Sequence, residues 1–141
     1  MEQQLIPVRQ VREAGAGTYT EITVIEAPAS ASAGSLVQIK VTIKNNYSSE
    51  ISIKVAGALS YGVSPMPAIS FPNDWANFPA GASYYFSGSF FMPAYSVVIY
   101  AYSYYYASND VWYPDDERTK SVSLDELQAE FQSLIVSYAK V

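Results

Sequence analysis

The chain has 141 residues, half of them apolar and only 15 % charged, with a net charge of −5. That is one domain's worth of chain with enough apolar material for its own core, and its acidic balance argues against a phosphate-neutralising nucleic-acid binder. It contains neither Cys nor His, which excludes disulfides, thiolate nucleophiles, Ser-His-Asp and Cys-His catalysis and the usual zinc sites. No cofactor or metal site is expected. The opening Met1-Glu2-Gln3-Gln4-Leu5-Ile6-Pro7 lacks the basic and apolar regions of a signal peptide. No apolar run is long enough to span a membrane. The expectation is a protein carried in a virion, or cytoplasmic before assembly.

Residues 1–18 mix both charges with Ala14-Gly15-Ala16-Gly17 and read as an extended N-terminal arm. From Tyr19 the pattern takes a period of two. Glu21 to Ala27 alternates around Ile22 and Val24, and Pro28 to Gly34 is a small-residue turn. Val37, Ile39, Val41 and Ile43 alternate with polar residues, as do Ile51, Ile53 and Val55. Between those runs, Asn45-Asn46-Tyr47-Ser48-Ser49 supplies turn chemistry, since Asn tolerates a positive φ. A Pro-rich excursion from Pro65 to Pro79 contains a short strand near Ala68–Phe71. Ser83–Met92, Tyr95–Ala107 and Trp112–Val122 are further strands. Seven short strands with no helix between them predict an all-β fold, an immunoglobulin-like antiparallel β-sandwich over residues 19–123. A closed barrel is the alternative.

The period then changes. Ser123-Leu124-Asp125-Glu126 has the form of a capping box, and Leu124, Leu127, Phe131, Leu134, Ile135 and Tyr138 recur at helical spacing. An amphipathic C-terminal helix is predicted over 124–141. Its stripe either packs on its own sandwich or docks onto a neighbour.

The runs APASASAGSLVQIKVTIKN, ISIKV, FPAGASYYFSGSFFMP and SVVIYAY, followed by Trp112 and Asp115-Asp116, resemble CARDB-type immunoglobulin-like domains. In that family a Pro and a Gly precede the second strand, an Asn ends it, and a Gly opens a later one. The matching positions here are Pro28, Gly34, Asn45 and Gly81. The resemblance covers about residues 19–123. It implies an adhesion, scaffold or linker module, or a sandwich of the kind that decorates phage particles, and carries no catalytic residues. The Tyr density and the appended helix depart from it.

Residues 55–109 hold 15 of the 21 aromatics and a single charged side chain, Asp74. In the strand from Tyr95, the residues Val98, Tyr100, Tyr102, Tyr104 and Tyr106 share one face, and the smaller Val97, Ile99, Ala101 and Ser103 share the other with Tyr105. The smaller set suits a sandwich interior, so the Tyr stripe faces outward. Either Tyr serves there as a good strand former with a wet hydroxyl, or the stripe is a contact surface. The missing charges favour contact, because a solvated sheet face ordinarily carries them.

Four further groupings have ordinary readings beside functional ones. Trp75, Trp112 and Tyr113, placed in loops, could stack on sugar rings. Asp110 to Glu117 gathers four carboxylates in eight residues; it reads as the solvated turn of the last hairpin, with calcium as the other reading. Asp74 and the Asp115–Glu117 cluster are the available acids for glycosidase chemistry, with no cleft signature to support them. Asn46-Tyr47-Ser48 matches a glycosylation sequon and reads as a chance turn.

The resulting expectation is a non-enzymatic structural protein that assembles, a virion component such as a capsid decoration or tail protein. Its contacts would be made to other subunits, self or foreign, through Tyr100, Tyr102, Tyr104 and Tyr106 and through Leu127, Phe131, Leu134 and Tyr138. A homo-oligomer or larger assembly is expected, without nucleic acid or membrane. The alternative is a carbohydrate- or cell-surface-binding adhesin module using Trp75, Trp112 and Tyr113.

Overall fold

The computed structural model describes residues 17–125. Eight strands follow in chain order: β1 (Thr20–Glu26), β2 (Ser30–Ala31), β3 (Leu36–Asn45), β4 (Ile51–Ser60), β5 (Trp75–Phe78), β6 (Ser83–Phe91), β7 (Val97–Tyr106) and β8 (Trp112–Leu124). They form two separate sheets, β1-β3-β6 and β2-β8-β7-β4-β5. The fold is therefore a β-sandwich and not a closed barrel. β3 and β4, consecutive in the chain, lie in different sheets, so Asn46 to Glu50 crosses from one sheet to the other. The two inner faces meet in one core, with Ile22, Val41 and Ile43 from the first sheet against Ile53, Ile99 and Phe78 from the second.

The alternation in β3 and β7 runs as the residue pattern predicts, because each is paired on both sides and one face is fully covered. β1 departs from it. A bulge between Ile22 and Val24 shifts the register, so Ile22 and Ile25 are buried while Val24 is 40 % exposed. Two short strands sit in stretches expected to be irregular. β2 lies within the Pro28–Gly34 turn and pairs in parallel with the end of β8; β5 lies within the Pro-rich excursion and pairs with the start of β4. Ala68–Phe71 is not a strand. It makes one bridge to each sheet, Ala58 to Ala68 and Ser70 to Ser89, because the flanking Pro67 and Pro72 offer no N–H with which to extend pairing.

That segment closes one side of the sandwich. A Cβ at Gly57 of β4 would lie 3.1 Å from the Phe71 ring, and one at Gly88 of β6 would lie 2.6 Å from it. One glycine in each sheet thus leaves room for the same aromatic plug. Gly34 and Gly81, two of the positions that carried the family resemblance, have φ of +82° and +76°, which only glycine adopts without strain. Asn45 works differently from expectation, since Asp110 is the non-glycine residue with positive φ among those described. Its buried amide instead donates to Ser49 O at 2.9 Å and to Phe78 O and Pro79 O at 3.1 Å, while its oxygen accepts from Tyr47 N at 2.8 Å.

Leu124 ends β8, and Asp125 N donates to Ala31 O at 2.9 Å. The predicted helical stripe of Leu127, Phe131, Leu134 and Tyr138 lies outside the described residues, as do residues 1–16 of the arm predicted over residues 1–18. No helix among the described residues is long and apolar enough to cross a membrane.

Candidate protein-contact surface

The outer face of the five-stranded sheet is built on β7. Its inward positions are buried, and its outward positions Val98, Tyr100, Tyr102, Tyr104 and Tyr106 are half-buried. The register aligns small residues beside the large ones. Ala58, Tyr100 and Thr119 form one row across β4, β7 and β8, and Ala56, Tyr102 and Glu117 form the next. The tyrosines therefore stand as a ridge beside a shelf of alanine. Partial burial, followed by the Glu117 carboxylate and the neighbouring Tyr104 and Tyr100, raises the Tyr102 phenol above its ordinary value.

One end of the ridge broadens into an aromatic group. Tyr106 meets Trp112 edge-on at 5.0 Å, and Trp75 approaches Trp112 at 6.4 Å. Lys54, opposite both Trp75 and Tyr104 in register, holds its ammonium 5.9 Å from the Trp112 ring centre. Such a cation is attracted to the ring face. Burial and the nearby Asp110 carboxylate, which the phenol meets at 3.4 Å, raise the Tyr106 phenol as well.

The sequence-predicted aromatic trio is divided by this geometry. Trp75 opens β5 and Trp112 opens β8, so neither is in a loop. Tyr113, next along β8, packs inward against the core with its ring 5.8 Å from Tyr105. Its hydroxyl accepts a 2.7 Å hydrogen bond from Asn109.

The acidic run is also reassigned. The hairpin turn is Ala107 to Val111, and residues 112–124 are strand. Asp115 and Asp116 are not in a solvated turn; they are 1 % and 7 % exposed. Neighbours in a regular strand point to opposite faces. Here Ser103 pairs with Asp116 and Tyr104 with Pro114, which leaves Asp115 as the extra residue of a bulge. Both carboxylates then turn inward. Asp115 accepts from the backbone N–H groups of Thr18, Tyr19 and Thr20 at 2.9, 3.1 and 2.7 Å, and from Thr20 Oγ1 at 2.6 Å. Asp116 accepts from Ile22 N at 2.8 Å. Beyond them, Arg118 Nη1 donates to Ile22 O at 3.1 Å.

These acids fasten β1 to β8 across the sandwich. Oxygens so committed to N–H donors do not suit a metal ion, and no group of three or more acidic, His or Cys side chains among the described residues is arranged to hold one. Asp74, half-buried beside β5, gives its backbone carbonyl to Val55 N. Sequence reasoning missed this network, although an Asp doublet in a strand opposite an inward Ser103 is a legible signal of it.

No family model and no curated protein matches the chain by sequence. The fold is similar to the CARDB domain of a Pyrococcus furiosus protein solved in complex with di-metal ions, 13 % identical with a TM-score of 0.54. That likeness covers 80 % of this chain and 95 % of that one. A Pseudomonas fluorescens alkylpurine DNA glycosylase, solved bound to DNA containing an abasic site analog, is 12 % identical with a TM-score of 0.53, over 74 % of this chain and 30 % of its own. A Bacteroides uniformis beta-glucuronidase is 10 % identical with a TM-score of 0.51, over 71 % of this chain and 12 % of its own. At these identities the likeness is one of fold: the chain's sandwich resembles a CARDB domain.

Proposed function

We propose that this protein is a non-enzymatic assembly module of the immunoglobulin-like class, and that it contacts other protein subunits through the outer face of its five-stranded sheet. The observation that carries the reading is the Tyr ridge of β7 beside the alanine shelf of β4, with Lys54 and Glu117 the charged side chains in the rows that cross it. Tyr offers large, stiff, amphipathic area with few rotamers to freeze, which suits an interface. A free sheet face of this size ordinarily carries more charge. The setting we propose is a multi-subunit shell such as a virion, where neighbouring subunits cover the face.

The experiment is sedimentation over a concentration series, with co-purification of assembly partners. Interface energy concentrates in a few buried aromatics, where truncation costs about 2 kcal/mol or more. Tyr102→Ala should weaken association by tenfold or more while leaving the β-sheet spectrum intact. Unchanged association in Tyr102→Ala and Tyr104→Ala would leave the ridge a merely solvated face.

A further inference from the structure

β6 is an outer strand of the three-stranded sheet, and its nine residues carry no charge, no Pro and no bulge. In an antiparallel ladder, successive residues aim their main-chain groups to opposite sides. At both ends of β6 the even-numbered residues face β3: Asn45 N donates to Ala82 O at 2.9 Å, and Met92 N donates to Ser35 O at 2.8 Å. Ser83, Tyr85, Ser87 and Ser89 therefore turn their N–H and C=O groups to the open side. Ser89 uses both, exchanging 3.0 Å hydrogen bonds with Ser70 in each direction. The chain then leaves this edge, because the Phe71 ring is taken between the sheets and Pro72 has no N–H to give.

Among the described residues, no strand lies beside Ser83, Tyr85 and Ser87. All three are exposed, Tyr85 by 57 %. A cleft of about 320 Å³ runs alongside, walled by Pro72, Asn73 and Trp75. We propose that this edge is a self-association site whose occupant is the same edge of a second copy, β6 pairing antiparallel with β6 about a two-fold axis at Tyr85.

In that register Ser83 faces Ser87 of the partner subunit and Tyr85 faces Tyr85 of the partner subunit, joined by about six main-chain hydrogen bonds. The pairing repeats what Ser70 already does at Ser89. An isologous contact requires a strand that complements itself, and like charges set opposite each other would oppose it. The chain's charge is −5, yet no charged residue falls between Trp75 and Asn109. Free edges are normally guarded by Lys, Pro or a bulge; β6 itself carries none of these, and the Lys40 ammonium of β3 is engaged 4.7 Å from the Tyr85 ring centre. This contact uses the other sheet from the Tyr100–Tyr106 ridge, so it goes beyond the proposed function and fails or stands separately from it.

The absence of Cys allows a direct test on the full chain. Under mild oxidation, Tyr85→Cys should give a covalent dimer at least tenfold faster than Ser108→Cys, which places a thiol on the exposed β7–β8 turn. Ser87→Pro removes an outward N–H without touching the β3 ladder, and should shift sedimentation to monomer with the β-sheet spectrum retained. If that variant fails to fold, Tyr85→Lys leaves the main chain intact, sets two ammonium groups opposite each other on the two-fold axis and should give the same shift. Equal cross-linking at the two positions, or Tyr85→Lys associating like the wild type, overturns the proposal. Trapping at Tyr85 and loss of association in Tyr102→Ala are read independently, so either surface can be rejected alone.

Discussion

Ser103 Oγ lies 2.6 Å from Thr20 Oγ1, and both side chains are buried between the sheets. The single hydroxyl proton of Thr20 goes to Asp115 Oδ2 at 2.6 Å, so Ser103 is the donor of the pair. Ser103 in turn accepts from Asp116 N at 3.1 Å. The result is a directed chain, Asp116 N–H to Ser103 to Thr20 to Asp115, in which every hydrogen has one place to go. Buried polar chains of this kind favour one arrangement strongly when complete and cost stability when any member is removed.

Asp115→Ala should therefore be among the most destabilising substitutions in the described chain. It strands the N–H groups of Thr18, Tyr19 and Thr20 and removes charge-assisted bonds, a loss of roughly 3 kcal/mol or more. Ser103→Ala, which breaks one link, should cost about 1–2 kcal/mol. Urea unfolding at neutral pH measures both. A loss at Asp115 no larger than that at Ser103 would contradict this account.

At Asn45 the identity of the donor matters more than side-chain size. Asn45→Asp keeps the shape but points a carboxylate at the carbonyls of Ser49, Phe78 and Pro79, where the amide now donates. It should destabilise by about 3 kcal/mol, more than Asn45→Ser, because an unpaired buried charge costs more than a lost hydrogen bond. Calorimetric melting of the two variants gives the order directly.

The glycines around Phe71 should respond unequally. Gly88→Ala places a methyl 2.6 Å from the ring, whereas Gly57→Ala meets Ile69 at 3.0 Å and Phe71 at 3.1 Å, distances that small shifts relieve. Overpacking of this sort costs about 1–3 kcal/mol, and Gly88→Ala should fall at the upper end. Adding Phe71→Leu should recover part of the Gly88→Ala loss and little of the Gly57→Ala loss, as a double-mutant cycle would report.

The Tyr102 phenol, raised by partial burial and then by Glu117, should ionise later in the folded chain than in the urea-unfolded chain, in a titration followed through labelled Tyr resonances. A folded-state value above the unfolded one means that the folded chain holds its proton longer. The associated stability is fully present below the unfolded value near 10 and is lost as pH rises through the folded value. Glu117→Gln should move the Tyr102 titration to lower pH. Coincident titration of Tyr102 in the folded and unfolded chains would refute the assignment.

Much of this architecture was legible in the residues because a buried sheet face enforces strict alternation. Val37 to Ile43 and Val97 to Tyr105 show it without interruption, and the outward Tyr ridge follows from the same parity. What escaped the pattern are the places where parity breaks. The bulge in β1 exchanges Val24 for Ile25, and the bulge in β8 turns two consecutive acids inward. A period of two cannot announce an inserted residue. β5 was hidden for a different reason: its four residues pair with β4 alone on an outer edge, where a nearby Pro79 and an exposed Trp75 cost little. The division of Trp75 and Trp112 from Tyr113 follows from strand parity too, once the start of β8 is fixed at Trp112.

The parallel run of β1 and β2 beside β8 has a mechanical consequence. Thr18 to Thr20 is tied to Asp115, Ile22 to Asp116, and Ala29 and Ala31 to Ser123 and Asp125, so the first and last described segments advance in the same direction along the sandwich. Tension applied between residues 17 and 125 pulls them past each other lengthwise. The bonds between them then carry the load together in shear instead of opening one at a time like a zip. Resistance to such a pull is set by the rate of unfolding rather than by equilibrium stability, and the buried Asp115 cradle stands at the point where the load enters.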